Sequence, residues 1–329
     1  MLISRTPVRI SFFGGGTDYP HWYEDNFGAV IATTINKYSY ITLRYLPRFF
    51  EYKYRLRYFQ TEQLNSIQDI QHPSIRECAK FLGVKEGFEI VHNGDLPASS
   101  GLGSSSTFTV GMMNAFHALN NNMPTKRELA LQAIDIEQNK IKEIVGSQDQ
   151  ISAAFGGLNY IEFGGDEVFK VNPMTIGKQK IEALQESLLL CFTGFARSAS
   201  AIAKYQVERY AENRSMLQEI LDITLEAKEL LNSSNFEIEK FGQLLDRSWQ
   251  IKRNLSSVIS NTQIEEIYIK ARENGAIGGK LLGAGGGGFM LFCARKENHE
   301  QIKKSLPNNL FVPFEFESTG SQIIYYSND

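Results

Sequence analysis

The sequence predicts a chain that mixes strands and helices in two lobes, and three observations carry that expectation. Its 329 residues are too many for one small core and suit one large domain or two of ordinary size. The N-terminal region is dense in β-branched and aromatic runs, which favour a sheet. Beyond Phe108 the apolar residues recur every three or four positions, the spacing of a helix face. Hydrophobic residues at 42% and charged residues at 22% are ordinary globular values, so the chain should fold alone.

Met1 to Phe13 alternates well enough to be a strand and stops at Gly14-Gly15-Gly16. Val30 to Leu46, Tyr52 to Phe59 and the shorter Phe88 to His92 read as further strands. In Tyr52 to Tyr58 the cations Lys53, Arg55 and Arg57 alternate with Tyr54, Leu56 and Tyr58, which suits the wet face of a strand; a nucleotide edge is the alternative. Phe108, Met112, Ala115, Phe116 and Leu119 then mark a helix. A second helix opens at the capping box Thr125-Lys-Arg-Glu128 and is expected to reach Val145, with Gly146 as its stop. Gly157 to Phe163 and Glu167 to Val171 read as a hairpin around Gly164-Gly165-Asp166. A boundary near Pro173 to Ile181 divides the chain into residues 1–175 and 176–329. Ser187 to Phe192 reads as a strand, Ser198 to Asn274 as mostly helix, and Lys280 to Phe292 as two strands around a turn at Gly283 to Gly288. Phe311 to Phe316 and Gln322 to Tyr326 are the last strands.

A formal net charge of −3 without a long Lys/Arg run argues against nucleic-acid binding. No stretch reaches the ~18 apolar residues that span a bilayer, and Arg5 and Arg9 interrupt the N-terminal run, so neither a membrane span nor a signal peptide is expected. Cys78, Cys191 and Cys293 are odd in number and far apart, which fits a reduced, cytoplasmic protein.

Pro97 to Thr107, Pro-Ala-Ser-Ser-Gly-Leu-Gly-Ser-Ser-Ser-Thr, links a strand to a helix start. Such a turn aims unpaired backbone N–H groups and the positive end of a helix dipole at one point, an anion site. A plain glycine turn is the simpler alternative. A lysine-bearing phosphate loop is absent, because Gly279-Lys280 is followed by Leu281, and a dinucleotide fingerprint lacks its third glycine at Ser106. Glu137 lies on the apolar stripe Ala130, Ile134, Ile141, Ile144, where a carboxylate needs a cation or a metal. A structural ion pair or a metal shared with a loop serine would each answer it. Asp149, in Gly146-Ser-Gln-Asp-Gln150, suits a base acting on a hydroxyl or a helix cap. Gly14-Gly15-Gly16-Thr17-Asp18 suits either recognition of sugar hydroxyls or a turn. Gly283 to Gly288 admits close approach to its backbone. Thr193 to Ser198 places Arg197 and Ser198 near a helix start, a second anion setting.

Three of these stretches together resemble the GHMP kinases: Pro7 to Gly14, Pro97 to Thr107 and Lys280 to Phe289 match the family's three motifs in order, over essentially the whole chain. Phe12 to Pro20, Thr193 to Ser198 and Gly146 to Gln150 are most similar to the branch of bacterial sugar 1-kinases that act on D-glycero-D-manno-heptose 7-phosphate. The resemblance implies an α+β fold of two lobes, the first a mixed nucleotide-binding unit and the second ferredoxin-like with added helices, with the site in the cleft between them. It implies ATP bound by Pro97, Ser99, Ser100, Gly101, Leu102, Gly103, Ser104, Ser105 and Ser106, and Mg2+ held by Ser105 and Glu137. Asp149 and Arg9 become the catalytic pair. Gly14, Gly15, Gly16, Thr17, Asp18, Arg197, Ser198, Gly285 and Gly286 become the sugar-phosphate site, with Lys204 near its phosphate. The implied partners are ATP and a sugar phosphate, bound by a monomer or homodimer. Where galactokinase-like members carry Glu-His, Gly15-Gly16 leaves space for a longer, phosphorylated sugar. A kinase of an unphosphorylated sugar and a silent nucleotide-binding module are the rival readings.

Overall fold

The computed structural model describes residues 1–195 and 209–327. Arg197, Ser198 and Lys204 therefore lie outside the described residues. The N-terminal region builds a sheet around two long strands, β1 (Leu2–Phe13) and β2 (Gly28–Tyr45), paired antiparallel along most of their length. The second half of β2 pairs with β5 (Phe88–Gly94), which carries β3 (Tyr54–Arg57) in parallel and then β4 (Thr61–Leu64). The first half of β2 pairs with β6 (Leu158–Phe163), which forms the expected hairpin with β7 (Phe169–Pro173). The basic cluster is resolved as an interior strand: Tyr54 and Leu56 are buried, and Arg55 pairs across to Glu89 on β5.

Helices cover one face of this sheet. After the short α1 (Pro20–Tyr23) come α2 (Pro73–Phe81), α3 (Ser104–Leu119), α4 (Lys126–Asp135) and α5 (Gln148–Phe155). The capping box forms as expected, with Glu128 N–H donating to Thr125 Oγ1 and Thr125 N–H to the Glu128 carboxylate. The helix expected to run to Val145 does not. It widens into a π-helical turn over Ile136–Ile141 and ends at Lys142, whose left-handed φ of 64° breaks the spiral. Glu143 N–H reaches back to Glu137 O across that wider turn.

The second lobe begins with α6 (Lys178–Glu186) and β8 (Leu188–Phe192). It continues through α7 (Tyr210–Asn232), α8 (Ile238–Lys252) and α9 (Thr262–Glu273) to β9 (Ala276–Leu281) and β10 (Phe289–Ala294). After α10 (His299–Ser305), β11 (Leu310–Phe311) completes a four-stranded antiparallel sheet ordered β11-β8-β10-β9. That order is the ferredoxin-like one, with helices added between its first two strands.

The chain then returns. β12 (Phe316–Glu317) pairs with β2, and β13 (Gln322–Tyr326) pairs with β1, so strands expected to finish the second unit finish the first sheet instead. The two lobes also share a core: Phe12 and Phe13 of β1 meet Phe241 of α8 edge-to-face, with ring centroids 5.5 and 5.3 Å apart.

Candidate active site

β1 carries Arg9 inward, where it is almost wholly buried. Its Nε and Nη2 both donate to Asp149 Oδ1 at 2.7 Å, and Nη1 donates to Gly101 O at 2.8 Å. One guanidinium thus joins the first strand, the nucleotide-type loop and the start of α5. Asp149 stays partly open, its side chain 25% exposed toward a cavity of about 250 Å³. A carboxylate fixed by a cation yet open to a cavity can accept or orient a hydroxyl proton.

Asp18 faces the same cavity from the other side and is 1% exposed. Its carboxylate accepts N–H bonds from Gly16 at 2.9 Å and Gln148 at 3.3 Å. Burial pushes its pKa up, and those bonds and nearby Asp149 contend over it. Gly146, expected as a helix stop, serves this carboxylate instead: a Cβ at residue 146 would stand 2.0 Å from Asp18 Oδ2. Ser11 Oγ and Gln148 Oε1 are buried beside the cavity without hydrogen-bond partners among the described residues, and Tyr19 also lines it. These polar atoms suit a ligand rich in hydroxyls.

α3 opens at Gly103, in left-handed conformation (φ 73°), with no side-chain cap. The first-turn N–H groups of Ser104, Ser105 and Ser106 therefore have no helical partner and stand at the cavity wall, an anion cradle. Ser99, Gly101 and Gly103 also line the cavity. Pro97 is exposed, Ser100 is buried with its carbonyl accepting Phe289 N–H at 3.1 Å, and Leu102 is core. These three shape the loop rather than face the cavity.

Glu137 is 1% exposed, as a stripe-breaking carboxylate should be if it is held. The serine that holds it is Ser106, whose Oγ donates to Oε2 at 2.7 Å, joined by Gln150. Ser105 is exposed at the cavity wall, because successive helix positions turn by about 100° and only one of the two can face inward. Glu137 Oε1 has no partner among the described residues, and burial pushes the pKa up to about 7. An orphaned buried carboxylate oxygen beside hydroxyls is an all-oxygen donor set that fits Mg2+.

The first and third glycine clusters divide their labour. Gly15, Gly16 and Asp18 line the cavity, whereas Thr17 Oγ1 donates to Gly14 O and Ala29 O and holds the turn. Of the Gly15-Gly16 pair expected to leave space, Gly15 has it, a Cβ there meeting nothing nearer than Gln148 Nε2 at 3.6 Å, whereas at Gly16 the Cδ2 of Leu217 of α7 would lie 2.9 Å from a Cβ. Gly283 and Ala284 line the cavity; Gly286 instead donates to Ile259 O at 2.8 Å, and Gly285 packs on Ile259.

Two cavity lysines went unassigned in the sequence reading. Lys252, at the end of α8, donates to Leu281 O at 2.8 Å and to Gly283 O, and Lys280 on β9 donates to Phe12 O at 2.7 Å. Burial pulls the Lys252 pKa down to about 7 and lowers that of Lys280 as well. A signal for Lys252 existed: Phe241, Leu245, Ser248 and Lys252 lie on one buried stripe of α8, as Glu137 does on its own helix.

Family models for the GHMP kinase N-terminal domain and C-terminal domain match residues 73–157 and 210–312. D-glycero-alpha-D-manno-heptose 7-phosphate kinase of Campylobacter jejuni is 31% identical over 319 residues, 92% of each chain. The chain belongs to the GHMP kinases. The crystal structure of a D-glycero-D-manno-heptose 1-phosphate kinase from Bacteroides thetaiotaomicron has the same fold, with a TM-score of 0.81 at 23% identity over 100% of both chains. A putative sugar kinase of Campylobacter jejuni superposes with a TM-score of 0.73 at 28% identity over 98% of both. As a GHMP kinase, the protein is a phosphotransferase with an alcohol as acceptor.

Proposed function

We propose that this GHMP kinase transfers the γ-phosphoryl group of ATP to the anomeric hydroxyl of D-glycero-D-manno-heptose 7-phosphate, giving the 1,7-bisphosphate and ADP in the cytoplasm. The observation that carries the reading is the Arg9-bound Asp149 at the wall of a cavity that also holds Asp18 and the α3 N-terminus. Similarity along 92% of a heptose 7-phosphate kinase supports the choice of sugar.

In this reading the N–H groups of Ser104, Ser105 and Ser106 receive the nucleotide phosphates. Mg2+ would be held by Glu137 with Ser105 or Ser106, and when bound it neutralises charge on the β- and γ-phosphates. Asp18, Gln148 and Ser11 hold the sugar so that its anomeric oxygen lies at Asp149. Asp149 accepts or orients the departing proton, while Arg9 holds that carboxylate in place and steadies charge on the attacking oxygen.

A coupled ADP-release assay over a panel of sugar phosphates and free sugars, with phosphorus NMR on the product, tests this. Turnover should be highest with the heptose 7-phosphate and the new resonance should be an anomeric phosphate. Equal turnover of free fucose, galactose or arabinose would replace the reading by that of an unphosphorylated-sugar kinase, and absence of turnover by that of a silent nucleotide-binding module.

A further inference from the structure

We infer that Lys252, backed by Lys280, is the cation site that receives the phosphate carried by the acceptor sugar. The inference rests on the proposed sugar-phosphate activity and adds the residues that read the acceptor's charge.

Lys252 is 9% exposed and Lys280 3% exposed. Burying an ammonium is costly unless it is paired. Yet neither has a carboxylate within ion-pair distance among the described residues, and Arg9, the third cation at the cavity, is taken by Asp149. Their described partners are main-chain carbonyls: Leu281 O and Gly283 O for Lys252, Phe12 O for Lys280. An ammonium has three N–H donors, so Lys252 keeps one for the cavity it lines. Two buried amines held by neutral oxygens are arranged for an anion supplied from outside, whose charge would offset the burial that disfavours their charged forms.

The nucleotide is not the anion that lacks a site. Its phosphates already have the α3 N-terminus and the donor set around Glu137, both on the first lobe. Lys252 projects from the second lobe, on the last turn of α8, one turn beyond Ser248, which also lines the cavity. Lys280 bonds Phe12 O, two residues before Gly14, and Leu255, three residues beyond Lys252, lines a recess together with Gly16, which places the pair toward the sugar side of the reacting centre. A free sugar would leave this charge unanswered; a sugar carrying a phosphate would not.

The test compares kcat/KM for the heptose 7-phosphate and for the free heptose in wild type, Lys252→Met and Lys252→Arg. In Lys252→Met the ratio of the two should fall about 10- to 100-fold, the span of one charge-assisted hydrogen bond, and Lys252→Arg should recover part of it. A loss shared equally by both acceptors, or one carried by the KM for ATP, would overturn the inference and place the ammonium at the transferred phosphoryl group. Calorimetric binding of inorganic phosphate with the α3 cradle saturated by ADP gives a second readout: wild type should bind it and a folded Lys252→Met should not. If both bind it alike, the site falls; if wild type binds phosphate through Lys252 but turns over no sugar phosphate, the proposed substrate falls and the anion site stands.

Discussion

The carboxylate of Asp149 owes its position to Arg9, 140 residues earlier in the chain, through two donors of one guanidinium on one oxygen. Removing the charge while keeping the shape isolates its chemical role. Asp149→Asn should lower kcat by about 10²- to 10⁴-fold, the usual worth of a positioned base, with the melting temperature and ATP binding little changed; a variant of near wild-type rate would remove Asp149 from the chemistry. At this scale legibility followed solvation. Glu137 stood out because a carboxylate on an apolar stripe demands a partner, and it is buried with one oxygen held by Ser106. Ser106 takes the bond to Glu137 while Ser105 stands at the cavity wall, a division of roles that three serines in a row do not show until the helix phase is known. Lys252 obeys the same rule but escaped notice, because a lysine in the last turn of a helix is ordinarily a solvated dipole partner.

Among elements, the segment from Ile136 to Ser147 does more than join two helices. The π-helical turn and left-handed Lys142 let the chain leave the spiral early and pass beneath Asp18, whose carbonyl accepts Ser147 N–H at 2.9 Å. Side-chain spacing carries the 3.6-residue period and not a single wider turn, so the early end was invisible. The passage leaves no room at residue 146. Gly146→Ala would place a methyl 2.0 Å from Asp18 Oδ2, a clash that must displace the sugar carboxylate. The expected result is a KM for the acceptor raised tenfold or more, with the KM for ATP nearly unchanged because the α3 cradle is untouched; steady-state kinetics with each substrate varied checks it.

Across the whole molecule the two lobes share one hydrophobic core. Phe241 of α8 is fully buried against Phe12 and Phe13, so the second lobe's helix completes the first strand's packing. Phe241→Ala should cost about 3 to 5 kcal/mol, and scanning calorimetry should show a single transition shifted down rather than one lobe melting alone. Two resolved transitions would mean that the shared core does not couple them. The change from strand to helix periods and the strand-rich ends were legible from local pattern. The return of β12 and β13 was not, because sheet pairing across the length of the chain leaves no mark on neighbouring residues.

That return has a temporal meaning. The strand that borders β1 is β13, residues Gln322–Tyr326, so the first sheet cannot close until synthesis has passed Tyr326. The nucleotide-type loop and Arg9 are made well before the strand that finishes the sheet holding them. Until β13 arrives, a nascent chain carries one edge of β1 unpaired, a row of open N–H and C=O groups that another strand could join.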